Sequence, residues 1–208
     1  MPLHKTITVD ANTKALIWKI EESLESLSKG IELTPHCQKR FDSMKSEIHR
    51  KGFMSIRHLL AEVGYVDKDL YYDDFGKPHL HNGKHISITH SHEFTGIIVS
   101  DKTEVGIDIE KQRDKILRIA HKFTPLKEYH TLANEEALIR KLTIVWCAKE
   151  SIYKLYGKHG LLFLEHINVA DFDFEAEKTT AKVSCDGKVS EYQIQFWEFE
   201  GFAVAVAV

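Results

Sequence analysis

The sequence predicts an α+β protein in which small antiparallel sheets pack on long helices. Three observations carry this. Short runs of β-branched and aromatic residues are separated by turn residues, as in Ile86–Ser91 and Thr95–Ser100. The stretch after Pro35 instead places apolar residues near helical spacing, and Asn134 and Gly157 bracket a second helix. Finally, a helix-then-hairpin pattern occurs twice. Ser55-Ile56-Arg57-His58-Leu59-Leu60 echoes Ser151-Ile152-Tyr153-Lys154-Leu155-Tyr156, and Glu93-Phe94-Thr95-Gly96 echoes Glu198-Phe199-Glu200-Gly201. On these matches alone, a duplication and the ordinary grammar of hairpins both remain open. If the duplication holds, the halves meet near residues 101–104 and a cleft between them is the natural ligand site.

Residues 5–20 predict two strands around the turn Asp10-Ala11-Asn12, followed by a helix near Glu21–Ser28. Pro35 opens a long helical stretch whose apolar positions include Phe41, Ile48, Ile56, Leu59 and Leu60. Gly52 is expected to weaken or kink it, and Gly64 to end it. Residues 70–80, with Phe75-Gly76-Lys77-Pro78, predict a loop. The hairpin 86–100 and a strand over Val105–Glu110 follow. Short helices and loop are expected over Lys111–His130. Asn134 caps a helix from Glu135 to Tyr156, with Gly157 after it. The remainder predicts strands, ending in the buried run Gly-Phe-Ala-Val-Ala-Val-Ala-Val.

A length of 208 residues suits one large domain or two small ones. With 43% hydrophobic and 28% charged residues, the chain can bury a core. Its net charge of −3 argues against a general nucleic-acid binder, so any anion site is local. Cys37, Cys147 and Cys185 are scattered, which predicts reduced thiols in the cytoplasm rather than a disulfide frame or a zinc site. No apolar run is long enough to span a bilayer, and Met-Pro-Leu-His-Lys does not open like a signal peptide.

Side chains alternate along a strand, so Asp108 and Glu110 of Gly106-Ile107-Asp108-Ile109-Glu110 share one face. Such a pair either holds a hard cation through oxygen or lines a solvated face. Glu150 and Lys154 lie four apart on one helical face. They read either as an exposed ion pair or as a metal ligand beside a phosphate contact. His90, flanked by the hydroxyls of Thr89 and Ser91, reads as a donor set for an anion or as a histidine-rich surface hairpin. Lys39, Arg40, Arg57 and Lys77 are further phosphate-type cations or plain surface charges. Together, the acids and phosphate donors point to chemistry on a diphosphate.

In this order and spacing, the chain resembles the 4′-phosphopantetheinyl transferase superfamily in its long, single-chain form. The matching residues are Arg57 in Arg-x-Leu-Leu, Phe75-Gly76-Lys77-Pro78, Ile86–Ser91, Gly106–Glu110, Phe123 through Glu128, and Trp146-x-x-Lys149-Glu150-x-x-x-Lys154. The resemblance implies two similar α/β halves, residues 1–102 and 103–208, each a small antiparallel sheet on a long helix, with the active site between them. It implies coenzyme A and Mg²⁺ as ligands and the serine of an apo acyl or peptidyl carrier protein as acceptor. The first half would supply coenzyme A phosphate contacts and the second the metal site. Asp108, Glu110 and Glu150 match the metal-site acids. Arg57, Lys77, His90 and Lys154 match the phosphate contacts, with Thr89, Ser91, Lys39 and Arg40 beside them. Lys149 matches a lysine of the motif, without an assigned contact. Thr89 stands where the family has serine.

On that resemblance the chain is expected to be a cytoplasmic, monomeric holo-[acyl-carrier-protein] synthase acting on neither nucleic acid nor membrane. Glu150 is the first choice to take the serine proton and Glu128 the second, with Asp108 and Lys154 completing the catalytic set. The run Lys111, Arg113, Lys115, Arg118 and Lys122, against Asp114, would steer an acidic carrier or simply be a solvated face. Two alternatives are a non-catalytic coenzyme A or nucleotide-binding protein and a Mg²⁺-dependent phosphodiester enzyme with a small-molecule acceptor.

Overall fold

The computed structural model describes residues 3–125, 134–157 and 160–208. It is a mixed α/β protein of antiparallel sheets and helices, in two compact units, Met1–Glu104 and Val105–Val208.

The first unit opens with β1 (Leu3–Asp10) and β2 (Thr13–Lys19), a hairpin about the expected turn. Helices α1 (Leu24–Ser28), α2 (Pro35–Ser43) and α3 (Glu47–Glu62) follow. Thr34 caps α2 by accepting the Cys37 amide, and Pro35 stands in its first turn, where the missing N–H costs nothing. The single long helix expected from Pro35 is two. The chain breaks at Met44–Ser46 and α3 runs straight through Gly52, so the glycine has another purpose, described below. Gly64, at φ 82°, ends α3 as its position suggests.

Residues 70–80 are not a plain loop. They form a two-stranded ribbon, β3 (Leu70–Tyr72) and β4 (Pro78–Leu80), about a turn that Asp73 closes by accepting the Phe75 and Lys77 amides. The hairpin β5 (His85–Ser91) and β6 (Phe94–Ser100) completes a sheet of order β1-β2-β6-β5. Its core brings Leu16, Trp18, Ile86 and Ile97 of the sheet against Phe53, Ile56, Leu59 and Leu60 of α3. Ser55 is wholly buried. Its hydroxyl contacts the Gly52 carbonyl at 2.9 Å and Thr95 Oγ1 of β6 at 2.8 Å, fastening α3 to the sheet.

The second unit begins with β7 (Gly106–Lys111), α4 (Lys115–Ile119) and a 3₁₀ turn over Ala120–Lys122. Helix α5 (Glu135–Tyr156) starts and stops where the sequence predicts. Asn134 Oδ1 accepts the Ala137 amide at 2.8 Å, and Gly157 is left-handed at φ 65°. Then come α6 (Phe163–His166), β8 (Ile167–Val169), β9 (Lys178–Cys185), β10 (Lys188–Phe199) and β11 (Phe202–Ala207). The sheet order is β7-β11-β10-β9-β8, so the last strand lies beside the first. Every residue of β11 is buried. Ala203, Ala205 and Ala207 belong to the core beneath α5, where small side chains let the helix sit close. Ser151 repeats the arrangement of Ser55: wholly buried, its hydroxyl lies 2.8 Å from the Cys147 carbonyl and 2.9 Å from that of Ala205 on β11, sharing its one proton between them. Among the described residues no helix is long and apolar enough to cross a membrane.

Candidate functional site

In the second unit, the closeness of α5 to β7 decides what the site can be. An added Cβ on Gly106 would stand 1.8 Å from the Ser151 carbonyl oxygen, so only glycine permits this approach. It brings the face of β7 that carries Asp108 and Glu110 up to the turn of α5 that carries Cys147, Glu150 and Lys154. Alternation along β7 holds as expected, with Ile107 and Ile109 on the other face.

Asp108 is buried, and its Oδ1 accepts from Lys154 Nζ at 2.7 Å. The same ammonium donates to the Ile107 carbonyl at 2.9 Å. Lys154 therefore serves the strand rather than its helical neighbour Glu150. Burial raises the Glu150 carboxyl to about 7; the Asp108 charge adds to this, Lys154 opposes it and Glu110 adds again. Glu150 thus feels the charge of both other carboxylates. Cys147 lies wholly buried beneath them. Burial pushes its thiol well up, and Asp108 and Glu110 push it further. It is a neutral floor and not a nucleophile.

The chemistry of this donor set fits a hard divalent cation: all carboxylate oxygen, mutually repelling, with one lysine as provisional counter-charge. Among the described residues, no three His, Cys, Asp or Glu side chains are gathered closely enough to hold a metal ion in this arrangement. Glu128, the second choice of base, lies outside the described residues.

In the first unit, the phosphate-type residues fall into two groups. Arg57 is only 3% exposed and its donors are spent internally. Nε reaches Asp67 Oδ1 at 2.9 Å, NH1 the Phe53 carbonyl at 2.9 Å, and NH2 both Asp67 at 2.7 Å and Cys37 Sγ at 3.3 Å. Burial would raise the Asp67 carboxyl, but the Thr34 amide and the Arg57 guanidinium outweigh it and hold it below its ordinary value. This is a buried structural ion pair. Arg50, two turns earlier on α3, was not singled out by the sequence. It stacks on Phe41 at 4.9 Å, and its Nε is buried with no hydrogen-bond partner among the described residues. The one-dimensional pattern does not separate the two arginines; Asp67 claims Arg57 through the fold.

His90 explains Gly52. A Cβ there would stand 2.8 Å from His90 Nε2, so the imidazole lies directly on the backbone of α3. Nε2 donates to the His92 carbonyl at 3.0 Å, and His49 meets the ring edge-on at 5.9 Å. Burial holds its pKa below the ordinary histidine value. The His92 bond works against this, and the charges of His49 and His92 support it. Thr89 and Ser91 are buried, and strand alternation sets them on the face of β5 opposite His90. Lys77 Nζ lies 2.7 Å from Glu104, which His85 Nδ1 also approaches at 3.2 Å. Arg40 stacks on Tyr72 at 4.9 Å, and Lys39 is exposed on α2.

The fold and site define an α+β protein in which acids of a strand and a helix face one another and Lys154 pairs with one of them, Asp108. The chain belongs to the 4′-phosphopantetheinyl transferase superfamily, whose family model matches residues 104–207. It is 30% identical over 134 residues to the 4′-phosphopantetheinyl transferase Sfp of Bacillus subtilis (strain 168), covering 60% of this chain and 59% of that protein. It is 32% identical over 112 residues to the 4′-phosphopantetheinyl transferase gsp of Aneurinibacillus migulanus, covering 51% and 47%. The 4′-phosphopantetheinyl transferase ffp of Bacillus subtilis is 30% identical over 135 residues, again 60% and 59%. The match thus spans less than two thirds of each relative's length.

Proposed function

We propose that this protein transfers the 4′-phosphopantetheine group of coenzyme A to a serine of an apo acyl or peptidyl carrier protein, releasing adenosine 3′,5′-bisphosphate. The observation that carries this reading is the mutual electrostatics of Asp108, Glu110 and Glu150, with Lys154 on Asp108. Repelling carboxylates answered by a lysine are the residues that chemistry on a diphosphate uses, and the family supplies the particular reaction.

In the proposed step the serine oxygen bonds to the phosphorus bearing the pantetheine arm. The bridging P–O bond to the other phosphate breaks, and its electron pair leaves on the bisphosphate. Glu150 is the first choice to accept the serine proton, directly or through water; its value of about 7 belongs to the protein without metal, and Mg²⁺ on the same carboxylate would lower it. Lys154 stands where it can exchange Asp108 for a phosphate oxygen. Asp108, Glu110 and Glu150 would hold Mg²⁺, which supplies charge neutralisation on the diphosphate when bound. Phosphate binding is assigned to Lys77, His90 and Arg50. Arg50 replaces Arg57, whose donors are engaged. Lys39 and Arg40 are peripheral candidates. Thr89 and Ser91 support β5.

We further infer that the two units are two versions of one design. In each, the strand before the helices (β2 or β7) pairs antiparallel with the last strand of the closing hairpin (β6 or β11), and a buried serine fastens the long helix to that last strand. A single-chain protein with both versions is read as a cytoplasmic monomer.

The test is intact-mass spectrometry of an apo carrier protein incubated with this protein, coenzyme A and Mg²⁺, with an EDTA control. A gain of one phosphopantetheine, lost with EDTA, is expected. No gain across fatty-acid and peptide-type carriers, with coenzyme A still bound, would replace this reading with a non-catalytic binder. Hydrolysed coenzyme A without carrier modification would point to a phosphodiester enzyme.

A further inference from the structure

The motif lysine beside Glu150 faces away from the acids, and its surroundings are unusual. Lys149 is 2% exposed, among the largest fully buried side chains of the protein. Its Nζ donates to three backbone carbonyls, Phe123 at 2.5 Å, Phe163 at 2.8 Å and Ile167 at 2.6 Å. A neutral amine has two N–H groups, so the three accepting carbonyls among the described residues call for the ammonium form, which has three. The three acceptors come from separate stretches of chain: the end of the 3₁₀ turn, the start of α6 and the start of β8. A buried ammonium here does what a structural cation would do, drawing three carbonyl dipoles to one point.

Two of those carbonyls belong to residues whose rings grip Trp146. Phe123 meets the indole edge-on at 5.0 Å, and Phe163 lies at 5.5 Å on a tilted plane. Tyr153 backs Phe163 at 5.8 Å. Trp146 in turn is a wall of a cavity of about 200 Å³ that Glu110, Arg113, Ile116 and Thr143 also line. Lys149 holds two backbones, their rings hold Trp146, and Trp146 borders the acid Glu110.

We propose that Lys149 is a positioning residue: its ammonium, by fixing the backbones of Phe123 and Phe163, sets Trp146 as the wall of the Glu110 cavity, so that the acid site meets its substrates in one geometry. This rests on the proposed transfer reaction only for its kinetic readout. It differs from a plain stability role, because the effect passes through a defined aromatic contact. Displacement of a reacting group by about 1 Å costs on the order of 10²-fold in rate.

The experiment compares Lys149→Met and Phe163→Leu with the parent protein. The Trp146 indole N–H resonance is identified by its absence in Trp146→Phe. Phosphopantetheine transfer is measured with coenzyme A and an apo carrier protein. In both variants the Trp146 resonance shifts or broadens and kcat falls roughly 10²-fold, with KM for coenzyme A within about twofold. The Trp18 and Trp197 resonances stay in place. A folded Lys149→Met protein with the parental Trp146 resonance and kcat overturns the proposal, even if its melting temperature has dropped. If Lys149→Met does not fold, Phe163→Leu decides alone, since it keeps all three carbonyls; an unmoved indole and undiminished kcat would end the idea. If the parent protein transfers nothing, the functional reading fails by itself, and the indole resonances still decide whether Lys149 sets Trp146.

Discussion

Lys154 Nζ lies 2.7 Å from Asp108 Oδ1 and 2.9 Å from the carbonyl of Ile107. One helix residue therefore holds both the backbone and the carboxylate of the acid-bearing strand. The contact is strong because Asp108 is buried. Replacing Lys154 with Met would remove a positive charge that Asp108 shares with Glu110 and Glu150 nearby. The expected outcome is a transfer rate lower by about 10²-fold and an upward shift of the Glu150 titration. Carrier mass spectrometry reads the first, and carboxyl-carbon NMR titration reads the second.

The Glu150 carboxyl gives a pH signature. Because its folded value lies near 7, above the ordinary 4.5, the folded state binds the proton more tightly than the unfolded chain between those values. Without metal, stability is therefore lost as pH rises from about 4.5 through 7. Denaturant titrations of Glu150→Gln at several pH values should show that part of the slope gone. Added Mg²⁺ should restore stability to the parent protein at pH 8 and do less for the variant. An unchanged slope in Glu150→Gln would remove this residue from the acid cluster.

Arg50 and Arg57 should part company on mutation. Arg57→Ala leaves Asp67 buried and unpaired, a loss of about 3–5 kcal/mol. Protein that stays folded should keep its KM for coenzyme A. Arg50→Ala should raise that KM about tenfold, since a charge-assisted bond to a ligand is worth about 1.5–3 kcal/mol, with little change in melting temperature. Calorimetry beside initial rates separates the two, and the reverse pattern would return the phosphate role to Arg57.

Glu104 acts as an internal occupant of Lys77. If Lys77 takes a coenzyme A phosphate, that phosphate must displace a carboxylate. Glu104→Gln should therefore lower KM for coenzyme A severalfold and weaken its salt dependence. A higher KM would mean that Glu104 orients Lys77 rather than competing for it.

Gly106→Ala tests the approach of α5 to β7. The added methyl would overlap a backbone oxygen, which cannot swing aside as a flexible side chain can. Overpacking of this kind costs about 1–3 kcal/mol or more, and thermal unfolding should register it. A neutral result would mean that the helix is free to lift from the strand.

Much of this architecture was legible because local chemistry dictates it. Asn134 and Gly157 bracket α5 since capping is a short-range matter. The face shared by Asp108 and Glu110 follows from strand alternation alone. What failed depended on partners distant in sequence. Gly52 read as a helix breaker because nothing nearby reveals that His90 will lie on it. For Arg57, read as a phosphate-type cation or a plain surface charge, the burial and the ion pair with Asp67 are reached only through the fold. Of the residues in the helix echo, Ser55 and Ser151 each contact a strand of their own unit. The hairpin echo is out of register: it aligns Phe94 with Phe199, whereas the residues that open the last strands are Phe94 and Phe202.

The placement of β11 beside β7 governs the order in which the second unit can be made. Asp108 pairs with Ala205 and Glu110 with Ala203, across almost the whole length of the unit. During synthesis the acid-bearing strand opens the second unit, yet the strand that pairs with it among the described residues is made nearly a hundred residues later. Until then β7 has no ladder to join, and its apolar Ile107 and Ile109 must wait for cover. Such non-local pairing makes folding slow and leaves a strand open to wrong partners. The acid-bearing face of β7 is therefore completed late, and an interruption of translation between Lys154 and Phe202 yields a chain that carries Asp108, Glu110, Glu150 and Lys154 but lacks the strand that pairs with β7.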